Sequence, residues 1–217
     1  MRFFHWWNKK RVFNFYQIKS SEIAIIKELN RDSNLSLKEN YSLMLIDDCE
    51  NAKRYWLEKT NASGKIIGVM EDKRYGKYLK IKYTLFKSRK VRKTDFKVGR
   101  SIMECSDWPN WKNINFLFKS KNPTRILNFM IVQIDGNIWQ YINFKKFKPE
   151  KWYLITIPLK KMYVFKKYLE GKKVKFEQKF DNVNSYFFNF SPLNGYIVPE
   201  EGPLKNSICI GKVFLTR

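Results

Sequence analysis

A chain of 217 residues that is 44% hydrophobic and 17% aromatic has the composition of a folded protein and the length of one large domain, or one domain with an appendage. Its 43 Lys and Arg against 20 Asp and Glu leave a net charge of +23, a field that attracts nucleic acid, anionic glycans or anionic membrane surfaces without choosing among them. His5 is the only histidine and Cys49, Cys105 and Cys209 are scattered, which excludes His-based triads, multi-histidine zinc sites and a disulfide framework. No window approaches the roughly 18 consecutive apolar residues of a spanning helix. The first residues lack an aliphatic signal core with a small-residue cleavage site, so the expectation is a cytoplasmic protein unless the chain is a mature form or fragment of a secreted one.

Residues 1–19 interleave Arg2, Lys9, Lys10, Arg11 and Lys19 with Phe3, Phe4, Trp6, Trp7, Phe13, Phe15 and Tyr16. That mixture suits a membrane interface and equally an edge strand packed on a sandwich. Ser20, Ser21 and Glu22 ahead of Ile23, Ala24, Ile25, Ile26 and Leu29 predict a short capped helix ending near Asn30. The turn-rich residues 31–40 then divide a basic aromatic extension, 1–40, from a β-sandwich domain, 41–217.

Strand signals begin at Tyr41 and continue through Tyr55-Trp56-Leu57 and residues 65–69. Residues 78–86 alternate most cleanly: Leu79, Ile81, Tyr83 and Leu85 are expected to face the core, with Tyr78, Lys80, Lys82 and Thr84 opposite. The densest basic run, 87–97, reads as a solvated loop, and a strand resumes over 98–105. Residues 113–118, 126–134, 138–144 and 152–159 form the central meander, with Asp135-Gly136-Asn137 as a hairpin signal. A charged insertion at 160–181 precedes strands at 184–190 and 207–216. About ten short strands punctuated by turns predict an all-β sandwich.

Several segments resemble, in matching order, the galactose-binding-like jelly rolls that include family 11 carbohydrate-binding modules and the complex I intermediate-associated protein family. They are Ile46-Asp47-Asp48-Cys49-Glu50 with Trp56 soon after, Asp107-Trp108-Pro109-Asn110-Trp111 running on to Phe116, Trp152 through Leu159, and the closing Ser207-Ile208-Cys209-Ile210-Gly211-Lys212-Val213. The resemblance spans residues 43–217. It implies a jelly roll with a non-catalytic binding role, most often toward polysaccharides, and framework roles for Trp108, Trp111 and Trp152. Members often hold a structural calcium between acidic residues of the opening and closing strands. Here Asp48 and Glu50 remain, but Gly211 and Lys212 occupy the closing positions, so no metal and no cofactor is expected.

Sugar recognition needs flat rings for pyranose faces and amides or carboxylates for hydroxyls. On residues 138–144, Ile138, Gln140, Ile142 and Phe144 make the more apolar face, expected inward, which directs Trp139, Tyr141 and Asn143 outward onto a concave sheet. Across the hairpin, Phe129 with Gln133 is one neighbour set and Asn128 with Met130 the other. The candidate ligand-binding set is Trp139, Tyr141, Asn143, Gln133 and Phe129.

The expected partner is a polysaccharide or oligosaccharide, with the basic surface favouring an acidic one and leaving room for polyanion contact. The alternative is a scaffold or assembly factor that meets a protein, an anionic membrane or nucleic acid through that surface. No recognisable nucleic-acid module is present. The acids sit mainly in turns, with no pair arranged as a glycosidase would need, so no catalytic residue is assigned.

Overall fold

The computed structural model describes residues 43–86, 94–106, 108–122, 127–143, 147–165, 179–190 and 203–217, with the side chains of 103–106 and 143 outside the described set. The expected N-terminal extension and helix, residues 87–93 of the basic run and residues 166–178 of the charged insertion lie outside these residues. The strands are β1 (Leu43–Asp47), β2 (Tyr55–Thr60), β3 (Ala62–Asp72), β4 (Gly76–Leu85), β5 (Asp95–Ser106), β6 (Asn113–Ser120), β7 (Leu127–Gln133), β8 (Ile138–Asn143), β9 (Tyr153–Pro158), β10 (Tyr163–Val164), β11 (Val183–Phe190) and β12 (Leu204–Thr216).

They form two antiparallel six-stranded sheets. The first runs β3-β4-β12-β6-β9, with β1 also on β12, and the second runs β10-β8-β7-β11-β5-β2. The long β12 is the axle of the first sheet: β6 follows one edge, while β4 takes the first part of the other edge and β1 the last part. The expected jelly-roll β-sandwich is therefore the fold observed. Strand β10, two residues from the charged insertion, extends the second sheet beyond β8.

Strict alternation builds the core. Leu79, Ile81, Tyr83 and Leu85 are buried as their spacing predicts, and Ile114, Phe116, Phe118, Ile208 and Ile210 join them from the first sheet. The second sheet contributes Phe96, Val98, Phe129, Ile131, Tyr186 and Phe188. Phe116 meets Phe129 at 5.4 Å and Phe188 at 4.9 Å between ring centroids, contacts worth about 0.5–1.5 kcal/mol each beyond the area they bury. The β7–β8 hairpin turns where its sequence indicates, with Gly136 at φ 86 and the Gln133 N–H donating to the Asn137 carbonyl at 3.0 Å.

Among the described residues, one carboxylate is buried amid these side chains. Asp47, at the end of β1, is only 1% exposed, yet both of its oxygens are saturated. Arg100 of β5 pairs with Oδ1, which also accepts the Cys49 N–H at 2.8 Å, while the hydroxyls of Tyr55 (β2) and Tyr186 (β11) donate to Oδ2. A carboxylate of the first sheet is thus clasped by three strands of the second. The Tyr55 hydroxyl also lies 3.2 Å from Cys49 Sγ.

Removing one member of such a buried set strands the others without partners, so Asp47→Ala is expected to cost about 3–5 kcal/mol in urea denaturation. Asp48→Ala should cost about 1 kcal/mol or less, because Asp48 is only half-buried and its carboxylate accepts a single local bond from the Glu50 N–H. Burial pushes the Cys49 thiol from its ordinary 9.0 up to about 12, and desolvation likewise raises the Tyr55 and Tyr186 phenols. In the unfolded chain these groups ionise at ordinary values, so above pH 9 the folded state binds more protons than the unfolded one. Stability is expected to be full below that pH and to decline as pH climbs toward 12, with Cys49→Ala flattening the onset of the decline in denaturation midpoints.

Candidate functional site

Strand β8 is turned the other way from the expectation. Trp139 is 4% exposed within the core, Tyr141 packs against it, and Gln140 takes the outer face with the half-exposed Ile138 and Ile142. Area decides this orientation: two large aromatic side chains bury more surface than two isoleucines. The indole also needs a hydrogen-bond acceptor inside. Its Nε1–H donates to Gln133 Oε1 at 2.5 Å, while Gln133 Nε2 donates to the Lys179 and Asp181 carbonyls at 3.0 and 2.6 Å. Phe180, on that same short segment, packs on Trp139 with ring centroids 5.3 Å apart.

Phe129 and Gln133 do share a face with Trp139, but the face is the inner one, and both are buried. The structure therefore places Trp139, Phe129, Gln133 and Tyr141 in or against the core, and the side chain of Asn143 lies outside the described set. Of the two neighbour sets across the hairpin, Asn128 with Met130 is the one that faces out. Trp108 and Trp111 are core residues, and Trp152 packs outside the first sheet with Tyr75 and Tyr78.

What lies on the outer face of the second sheet is a different set, gathered by register from all of its strands. Trp56 pairs with Gly99, Gly99 with Phe187, Phe187 with Met130, Met130 with Gln140, and Gln140 with Tyr163. At about 4.8 Å per strand this row is roughly 24 Å long. It has the half-buried Trp56 at one end and Tyr163, 46% exposed, at the other, while Phe187, Met130 and Gln140 between them are buried. Gly99 makes room for the indole: a Cβ there would lie 2.3 Å from Trp56 Cζ2 and 2.7 Å from Phe187 Cβ. The Trp56 and Phe187 rings consequently come to 5.7 Å, tilted by 52°.

The next row on the same face reads Glu58, Lys97, Asn189, Asn128, Ile142. Lys97 is held by Glu58 at 2.7 Å and lies 5.9 Å from the centre of the Phe187 ring. The adjacent amides are unusual. Asn128 is 2% exposed and Asn189 9% exposed, and the Oδ1 atom of each is buried with no hydrogen-bond donor. Each such acceptor costs about 1–3 kcal/mol unless something supplies a donor. Chemically the face offers rings, a thioether and amide acceptors, and among the described residues no nucleophile–base pair.

The sequence carried a signal for this set. Along β11, Ser185, Phe187 and Asn189 alternate with Tyr186, Phe188 and Phe190, so the polar neighbours of Phe187 mark the outward face. Of the acidic residues noted for a metal, Glu50 is ion-paired with Lys77 at 2.8 Å, and Asp48 caps its own turn. Among the described residues no cluster of His, Cys, Asp and Glu is arranged to hold a metal ion.

No family profile and no curated sequence matches the chain. Solved structures do. The chain is similar to a family 11 carbohydrate-binding module from Clostridium thermocellum in complex with a β-1,3-1,4-mixed-linked tetrasaccharide, at TM-score 0.56 and 20% identity, covering 80% of this chain and 94% of that one. It is similar to the family 11 module of the cellulosomal cellulase Lic26A-Cel5E of Clostridium thermocellum, at TM-score 0.53 and 19% identity over 80% and 93% of the two chains. These likenesses show the fold, a jelly-roll sandwich of the kind used by carbohydrate-binding modules.

Proposed function

We propose that the protein is a non-catalytic polysaccharide-binding domain whose ligand meets the outer face of the second sheet along the row from the half-buried Trp56 to the exposed Tyr163. The observation that carries this reading is the pair of buried amide oxygens on Asn128 and Asn189, side by side and without donors, next to a row bearing Trp56, Phe187 and Tyr163. A ligand that satisfies them must donate hydrogen bonds, and one that also covers rings must have apolar faces. A hydroxyl-rich sugar chain has both properties. The chemistry favours a neutral glycan here, since Lys97, the cation of this face among the described residues, is already paired with Glu58. The fold is shared with a module solved with a mixed-linkage tetrasaccharide, which makes mixed-linkage β-glucan the first ligand to test.

Calorimetric titration with neutral oligosaccharides is expected to give binding that changes little with salt. Trp56→Ala and Asn189→Leu should each weaken it by about tenfold, the worth of one good contact. Asn128→Leu separates a binding role from a structural one. It replaces an unsatisfied acceptor with an apolar side chain of similar shape, so it should leave the melting temperature equal or higher while weakening binding. Trp139→Phe should lower the melting temperature and leave the affinity of the folded fraction intact. Binding that survives Trp56→Ala and Asn128→Leu would sink the assignment of the face, and no binding to any neutral or acidic glycan would sink the function.

A further inference from the structure

The solvent face of the first sheet carries the opposite chemistry. Outward positions of β3, β4 and β12 fall into register as Ser63 opposite Thr84 opposite Lys205, then Lys65 opposite Lys82 opposite Ser207, then Lys80 opposite Cys209. Lys65, Lys82 and Lys205 are exposed and Lys80 is half-exposed. None of these four lysines makes an ion pair with the described carboxylates. Lys65 and Lys82 stand directly across a strand pair, where like charges destabilise a sheet. The spaces between the ammonium groups are filled by Ser63, Thr84 and Ser207, which are too short to shield them.

Among the described residues, the acids of this face are gathered at its far end. There Asp72 accepts the Trp152 indole N–H at 3.2 Å, and Glu150 lies 4.0 Å from Lys119, which itself sits over the Trp152 ring at 5.0 Å. One end of the face is thus electrostatically closed and the other is an open lattice of cations. Adjacent strands set its spacing at about 4.8 Å across and two residues at about 6.7 Å along.

We infer that this lattice is a second binding surface, independent of the ring-bearing face, and that it takes an acidic polysaccharide with carboxylate or sulfate groups repeated along its chain. Repulsion between unpaired lysines is relieved only when anions lie between them, and a regularly charged polymer supplies several at once. The side chains present argue against other polyanions. Between the lysines, Ser63, Thr84 and Ser207 offer hydroxyls and no ring; the rings of this outer face, Phe86, 41% exposed, and Tyr78, lie at the margins of the lattice, one outward step beyond Thr84 and Lys80 along β4. Lysine in place of arginine gives point charges without the bidentate fork that selects phosphate.

The test compares retention of the full chain on immobilised polygalacturonate and heparin with retention on neutral dextran, as salt is raised. The expected result is binding to both acidic polymers, with a log–log salt slope that becomes shallower by about two in the triple variant Lys65→Thr, Lys82→Thr, Lys205→Thr. That variant should bind about tenfold more weakly at low salt and melt at the same or a higher temperature, because a repulsive pair has been removed. A control with the exposed Lys53, Lys59 and Lys160 changed to Thr should keep nearly all of the binding. Equal loss in the control would overturn the inference in favour of undirected attraction by net charge. So would an unchanged triple variant, or absence of binding to either acidic polymer. Tighter binding of a single-stranded oligonucleotide that polygalacturonate cannot displace would overturn the choice of partner.

Discussion

The Asp47 carboxylate is the constraint on which the arrangement rests. A charge with 1% exposure is tolerable only when it is fully hydrogen-bonded, and here Arg100, Tyr55, Tyr186 and a backbone N–H complete it. The cost of desolvating these groups is recovered in one geometry alone, with β1 of the first sheet lying against β2, β5 and β11 of the second. Apolar packing between sheets is tolerant of small slides; a saturated carboxylate is not.

That clasp also sets the outer face. Tyr55, Arg100 and Tyr186 are paired across β2, β5 and β11, and the next pairs along the same strands are Trp56, Gly99 and Phe187. Side chains alternate along a strand, so the inward triad that holds Asp47 backs directly onto the outward triad that carries the rings. A one-residue slip in any of the three strands would send a tyrosine or the arginine outward and bring Trp56 or Phe187 into the core. The Gly99 position adds a steric condition to the electrostatic one, since only a residue without Cβ leaves the indole its place beside Phe187. Core and candidate site are specified by the same residues on opposite sides of one sheet.

The strands themselves were legible because alternation, aromatic content and turn residues agree along most of the chain. Where they agree most closely, at 78–86, the inward and outward sets are correct residue by residue. The candidate site was less legible for a physical reason. In Tyr55-Trp56-Leu57 and in Leu127 through Val132, both faces carry large apolar residues, so apolar count does not say which side is in. On β8 the count favoured Ile138, Gln140 and Ile142, whereas the fold follows the larger area of Trp139 and Tyr141 and the buried partner that Gln133 offers the indole. Facing is settled by groups distant in sequence: Phe180 covers Trp139, and Asp47 selects Tyr186 over Phe187.

The two outer faces are complementary in what they lack. Beside the ring row of the second sheet are acceptors without donors, the amide oxygens of Asn128 and Asn189. The first sheet presents donors without acceptors, the ammonium groups of Lys65, Lys80, Lys82 and Lys205. An anion brought to the first set adds a further acceptor where donors are wanted, and a neutral sugar brought to the second leaves the cations unneutralised. The proposed ligands of the two faces therefore differ in the polar groups they must supply and not in shape. A sandwich whose sheets are joined through one buried carboxylate holds these two surfaces back to back in a fixed relation.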